Sequence, residues 1–178
     1  MNPHQQGKSA LLCVANGSED LETVTIIDIL RRADIPLTLA KVYSKEEKHI
    51  ASDMNINLMC KLMMGTLIDV FAESKELHTM LSKQIEQDRH IAAICASPAK
   101  VLVPFGILTD QKATCYPTMN NIIKNKSCIL DKVVVDGNLI TSQGPGTAAL
   151  FALKIVQILK DKKTAQNVAQ GALIDLQV

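Results

Sequence analysis

The segment from Ala10 to Val42 leaves little choice of architecture. Ala10 to Ala15 is a short apolar run that stops at Asn16-Gly17-Ser18, after which Leu21, Val24, Ile27 and Leu30 recur at helical spacing as far as Arg31-Arg32. Ile35-Pro36 breaks the helix, and Leu37 to Val42 reads as a second strand. Strand, helix and strand in so short a stretch predict a βαβ unit. Its strands lie parallel, because the helix carries the chain back along the sheet.

The rest of the chain extends this pattern. Positions 43 to 53 are polar loop; Leu58, Leu62 and Met63 fit a short helix, and Thr66 to Phe71 a strand. Leu77, Met80, Leu81 and Ile85 mark an amphipathic helix capped by Ser74. Ile91 to Cys95 is an apolar strand followed by a short helix into Pro104, and a further strand is expected around Ala113 to Tyr116. Asp136-Gly137 between two apolar runs is a hairpin signal, since Asp-Gly supplies the positive φ angles of a two-residue turn. Gln143-Gly-Pro-Gly146 then opens a helix with Leu150, Leu153, Ile155, Val156 and Leu159 on one stripe, and the last fifteen residues form a packed tail. The expectation is an open, three-layer α/β sandwich around a mainly parallel sheet, with a polar extension over residues 1–9 and one domain over 10–178.

Composition narrows the function classes. With 178 residues, 47% of them hydrophobic, the chain can bury one good core. A net charge of +1, two Tyr, three Phe and no Trp offer neither a basic stripe nor stacking platforms, which argues against nucleic acid as a primary ligand. The cysteines at 13, 60, 95, 115 and 128 are odd in number and form no Cys-x-x-Cys pair, which fits a reducing compartment and gives zinc no support. No apolar stretch reaches the ~18 residues needed to span a bilayer, and Met1 to Ser9 lacks a signal-peptide core. A soluble, intracellular protein is expected.

The chemistry concentrates at Cys95. A strand that ends on cysteine and re-enters a helix through Pro98 puts the sulfur on a sharp turn at the carboxyl edge of the sheet, where helix N–H groups lower a thiol pKa. The alternative is a small buried hydrophobe. Glu22 lies in the first turn of the first helix, at the same edge, so the two could meet and share a proton, with the acid donating to sulfur. Equally, Glu19, Asp20 and Glu22 could simply complement the helix dipole. Of the four histidines, at 4, 49, 78 and 90, none follows Cys95, and His90 lies at the far end of its strand, roughly 15 Å away. That argues against a Cys–His dyad. Gly144-Pro-Gly146 reads either as an anion cradle or as a structural turn.

Four ordered motifs carry a resemblance. Ala15-Asn-Gly-Ser-Glu-Asp-Leu-Glu22-Thr, Ile29-Leu-Arg-Arg-Ala33, Ala92-Ala-Ile-Cys-Ala-Ser-Pro98 and Thr141-Ser-Gln-Gly-Pro-Gly-Thr147 resemble segments of the Parkinsonism-associated protein deglycase (DJ-one) family of the ThiJ/PfpI superfamily, over about Ala10 to Leu173. The resemblance implies a flavodoxin-like α/β sandwich, a homodimer, a reactive Cys95, a hydrogen-bonding Glu22 and substrate contacts at Gly17, Ala96 and Tyr116. It further implies methylglyoxal hydration or repair of glycated proteins without metal or organic cofactor, and oxidation of the cysteine to sulfinic acid under stress. A cytoplasmic location, extending to nucleus and mitochondria, goes with it. Ala96 stands where related peptidases carry histidine, which argues against a peptidase.

Three positions depart from the family pattern. Tyr116 in Cys115-Tyr-Pro117 replaces the family's histidine and, with an ordinary pKa near ~10, is a poor general base. The family's Pro-Gly-Gly loop, which places an oxyanion-binding N–H opposite the cysteine, is absent. It falls either after Asp69-Val-Phe71 or, in the other alignment, at Leu62-Met-Met-Gly65. Gln143 stands where a basic residue is common. Three readings follow: a deglycase or glyoxalase using Cys95 and Glu22, a redox sensor or chaperone acting through oxidation of Cys95, and a degenerate family member without chemistry.

Overall fold

The computed structural model describes residues 8–43, 60–63 and 68–175. Strand β1 (Ala10–Val14), helix α1 (Asp20–Arg32) and strand β2 (Leu37–Lys41) form the expected parallel βαβ unit. The chain continues through β3 (Cys60–Met63), α2 (Ile68–Glu73), α3 (Lys75–Glu86), β4 (His90–Ile94), β5 (Val133–Asp136), β6 (Leu139–Ser142), α4 (Ala148–Leu159) and α5 (Lys162–Gly171). Among the described residues the sheet runs β2-β1-β3-β4-β6-β5, parallel except for the β5–β6 hairpin turned by Asp136-Gly137.

Alternation along the strands divides the core between the two faces of the sheet. Ala10 and Leu12 of β1 and Ala92 and Ile94 of β4 pack with Ile26, Ile29 and Leu30 of α1 and with Phe151, Ile155 and Val156 of α4. Leu11, Cys13, Ile91 and Ala93 point the other way, onto Phe71, Leu77 and Leu81. A central strand covered on both faces has no polar side to show, which is why β4 reads as one apolar run. The tail is a helix, capped by the Asp161 carboxylate on the Thr164 N–H and packed through Ala165, Val168 and Ala169. No described helix is long and apolar enough to cross a membrane.

Three sequence expectations are corrected. Leu62 and Met63 belong to strand β3, whose backbone fills the slot between β1 and β4; Leu58 and the 44–53 loop lie outside the described residues. Of the expected strand over Thr66–Phe71, Thr66 and Leu67 lie outside the described residues, and Ile68–Glu73 is helix α2 with Phe71 buried. Short apolar runs do not distinguish the two states by periodicity; tertiary pairing decides. The strand expected around Ala113–Tyr116 is also absent. Its backbone donors are used elsewhere: Thr114 N–H donates to Thr141 Oγ1 at 3.0 Å, and Tyr116 N–H to the Cys95 carbonyl at 2.7 Å.

Candidate active site

Strand β4 delivers Cys95 to the carboxyl edge of the parallel strands, where open α/β folds bind ligands. The residue adopts φ +63°, a left-handed conformation that costs a non-glycine residue of order 1–2 kcal/mol. It is held from both sides. Its N–H donates to the Ser142 carbonyl at 3.1 Å, and its carbonyl accepts the Tyr116 N–H at 2.7 Å. The chain then enters a five-residue π-helical turn, Pro98–Leu102, with proline at its first position. Cys95 and Ala96 are each 6% exposed, so the sulfur is sheltered rather than presented to solvent.

Glu22 is fully buried. An acid that only complemented the dipole would stay in water, so burial excludes that reading for Glu22. Neither carboxyl oxygen has a hydrogen-bond partner of good geometry, and Cys95 is the side chain with which the carboxyl interacts. A Cβ placed on Gly144 would lie 3.8 Å from Glu22 Oε1 and 3.6 Å from the Tyr116 ring. The Gly144 turn, Glu22, Tyr116 and Cys95 therefore converge on one place. Tyr116 is 41% exposed and forms the rim, whereas Gly17, with φ +79°, lies in the exposed turn after β1 at the same sheet edge.

The electrostatics differ from the sequence expectation. Burial, then the charge of Glu22 and a hydrogen bond to it, push the Cys95 thiol up to about 12, against a smaller opposing effect of the Ala96 N–H. The thiol is not a low-pKa one, because it is buried and a buried acid is beside it. Burial likewise pushes Glu22 up to about 7, opposed by the hydrogen bond to Cys95 and reinforced by Glu19. The two groups titrate as a pair, and the second negative charge is the costly one.

A polar chain braces this arrangement. Gly144 N–H donates to Thr147 Oγ1 (3.1 Å), the Thr147 and Ser142 hydroxyls lie 2.7 Å apart, and Ser142 Oγ donates to the Lys132 carbonyl at 2.7 Å. With Thr147 donating to Ser142, every proton has an acceptor. The Gly-Pro-Gly segment is accordingly the structural turn of the two sequence readings. Changing Ser142 to alanine should cost about 1 kcal/mol by taking the donor from the Lys132 carbonyl, seen as a lower Tm, while Thr147 keeps the Gly144 carbonyl as its acceptor at 2.9 Å. Sequence reasoning missed this brace. The hydroxyl spacing Ser142/Thr147 was visible, but its partners come from other segments.

The remaining predicted residues are placed as follows. Cys60 starts β3, in register with His90, at the end of the sheet opposite Cys95. Cys13 and Cys115 are buried in the core layer under α2 and α3. Asp69-Val-Phe71 lies in helix α2, which removes the first of the two alignments for the missing loop. In the other, Leu62 and Met63 end β3, and positions 64–67 are outside the described residues.

Fold and site together define a three-layer α/β protein carrying a buried thiol–carboxyl pair at the carboxyl edge of a parallel sheet. The chain belongs to the DJ-1/PfpI family, whose model matches residues 8–158. It is 38% identical to protein dj-1beta of Drosophila melanogaster, over 94% of this chain and 97% of that one. Protein DJ-1 homolog B of Arabidopsis thaliana is 35% identical over 92% of this chain. The chain spans less than half of the two Arabidopsis relatives, 41% of homolog B and 45% of homolog A. A Caenorhabditis elegans relative, glutathione-independent glyoxalase DJR-1.2, is 29% identical over 86% of this chain and 89% of its own length. Among solved structures, oxidized Toxoplasma gondii DJ-1 superposes with a TM-score of 0.84 at 32% identity, covering 94% of this chain and 99% of that one.

Proposed function

We propose that this chain is a cofactor-independent glyoxalase or deglycase in which Cys95 is the nucleophile and Glu22 the proton carrier. The observation that carries the reading is a fully buried carboxyl set beside a buried thiol on a strained turn. The glyoxalase name of the nematode relative supports it. Glu22, ionised above about 7, takes the thiol proton as sulfur adds to the aldehyde carbon of methylglyoxal and forms a C–S bond. A proton then leaves that carbon and another is delivered to the neighbouring carbonyl carbon. The aldehyde carbon is thereby oxidised and the ketone carbon reduced within one molecule. Water cleaves the resulting thioester, giving a 2-hydroxy acid and the free thiol. Ala96 and Gly17 line the approach, and Tyr116 closes its rim. Purified chain incubated with methylglyoxal without glutathione should yield the 2-hydroxy acid by proton NMR. No product above a Cys95→Ser control would remove the enzymatic reading.

A second reading, a redox sensor or chaperone acting through oxidation of Cys95, is favoured by the two unpartnered Glu22 oxygens and by the oxidised state of the Toxoplasma relative. Two equivalents of peroxide would convert the thiol to a sulfinate, releasing two waters, and a protonated Glu22 would donate to the new oxygen.

We further propose a homodimer in the reducing cytoplasm. Leu21 and Val24 expose 56% and 64% of their surface on the outer side of α1, beside the helix turn that carries Glu22, and are the surface we propose a second copy covers. Val24→Asp should shift the protein to a monomer in light scattering. An unchanged mass would move the interface elsewhere.

A further inference from the structure

Glu19 precedes Glu22 by one helical turn and holds that turn together. Its Oε2 accepts the Glu22 backbone N–H at 2.6 Å, and its carbonyl accepts the Thr23 N–H at 3.0 Å and the Thr23 hydroxyl at 2.8 Å. Serine, threonine, asparagine and aspartate are the usual residues at this capping position. Glutamate makes the same bond and adds a carboxylate on a longer arm. That carboxylate bears on both members of the pair, opposing ionisation of Glu22 and of Cys95.

Few other charges are placed to compete with it. From β4 the group facing Glu22 is Cys95, and from the 113–116 segment it is Tyr116, whose ring shares the Gly144 contact. The Gly144-Pro-Gly turn brings no titratable group. Helix α4, packed along α1, carries Lys154 as its one charged residue, half-buried and bonded to Gln157 at 3.1 Å. On α1 itself Asp20 is exposed.

We propose that Glu19 is a positioning residue for the thiol–carboxyl pair: its hydrogen bond to the Glu22 backbone N–H holds the helical turn from which Glu22 projects, and its negative charge disfavours a second negative charge beside it. The inference rests on Cys95 and Glu22 acting as a coupled pair, and it deepens that reading by naming a charge that adds to burial in setting the pH at which the pair ionises. The two contributions separate by substitution. Glu19→Gln keeps an oxygen for the Glu22 N–H and removes the charge; Glu19→Ala removes both.

The test is a carbon-13 carboxyl NMR titration of Glu22 in the full chain from about pH 4 to about pH 9, with the signal assigned by its loss in Glu22→Gln. Glu19→Gln should lower the Glu22 midpoint by about 0.3 to 1 pH unit with Tm near the wild-type value. Glu19→Ala should lower the midpoint comparably and also drop Tm by about 2–8 °C, the signature of a lost cap. Glu19→Asp, which retains the charge, should leave the midpoint near its wild-type position. An unmoved midpoint in Glu19→Gln, or an equal drop in Glu19→Asp, overturns the proposal. The readout needs no turnover. Absent methylglyoxal activity with a shifted midpoint would therefore remove the enzymatic reading and leave this inference standing.

Discussion

Changing Cys95 to serine should reduce methylglyoxal consumption by at least about 10³-fold, because a serine hydroxyl at the same place is a far weaker nucleophile than sulfur and Glu22 is too weak a base to activate it. The fold should survive. Serine is nearly isosteric, the left-handed turn is held through the backbone by Ser142 and Tyr116, and a hydroxyl packs in the space of a thiol. The wild-type profile distinguishes this mechanism from one that begins with a standing thiolate. With the thiol pushed up to about 12 and Glu22 up to about 7, kcat/KM should rise through about pH 7 as Glu22 ionises and becomes able to take the sulfur's proton. Glu22→Gln should lose about 10²- to 10⁴-fold and flatten that step. A rate that stays constant from about pH 5 to about pH 9 would exclude Glu22 as the base.

The second large effect is on stability. Glu22 ionises at about 7 in the folded chain, against an ordinary 4.5, because burial penalises its charged form. For a carboxyl raised on folding, the unfolded chain releases its proton first. The favourable contribution is complete below about 4.5 and is lost as pH rises through about 7. The gap corresponds to at most about 3 kcal/mol. Glu22→Gln has no charge to bury, so it should be more stable than wild type by about 1–3 kcal/mol near pH 8.5 and close to wild type near pH 5. Urea unfolding at the two pH values measures the difference. An equal difference at both would mean that the carboxyl is solvated in the folded chain. A residue that weakens the fold at working pH is the expected cost of a site that needs a poised acid.

Much of the site was legible from single segments. The elbow at Cys95 follows from an apolar run, a cysteine and a proline two residues after Ala96, and the structure adds that this turn is left-handed. Glu22 was placed at the correct sheet edge because β1 and α1 are unmistakable. The charge state was not legible. A helix terminus beside a thiol argued for a low pKa, whereas the helix after Ser97 is one turn long and the nearer influence is a buried acid from another part of the chain. Glu19 looked like one of three dipole-complementing acids, and only the 2.6 Å bond to the Glu22 N–H distinguishes it.

By itself, the sequence determined the local patterns: apolar runs for β1, β2 and β4, a 3.6-residue stripe for α1, α3 and α4, the Asp136-Gly137 turn, and from their alternation a parallel α/β sandwich. These are set by interactions between residues a few positions apart, so they are written locally. Tertiary structure alone decided which segment fills the slot between β1 and β4, that Ala113–Tyr116 feeds its N–H groups to Thr141 and Cys95 instead of a strand, and that Glu22 is buried beside Cys95. Strand pairing, burial and charge coupling depend on groups brought together from distant parts of the chain. No short window of sequence contains both members of such a pair.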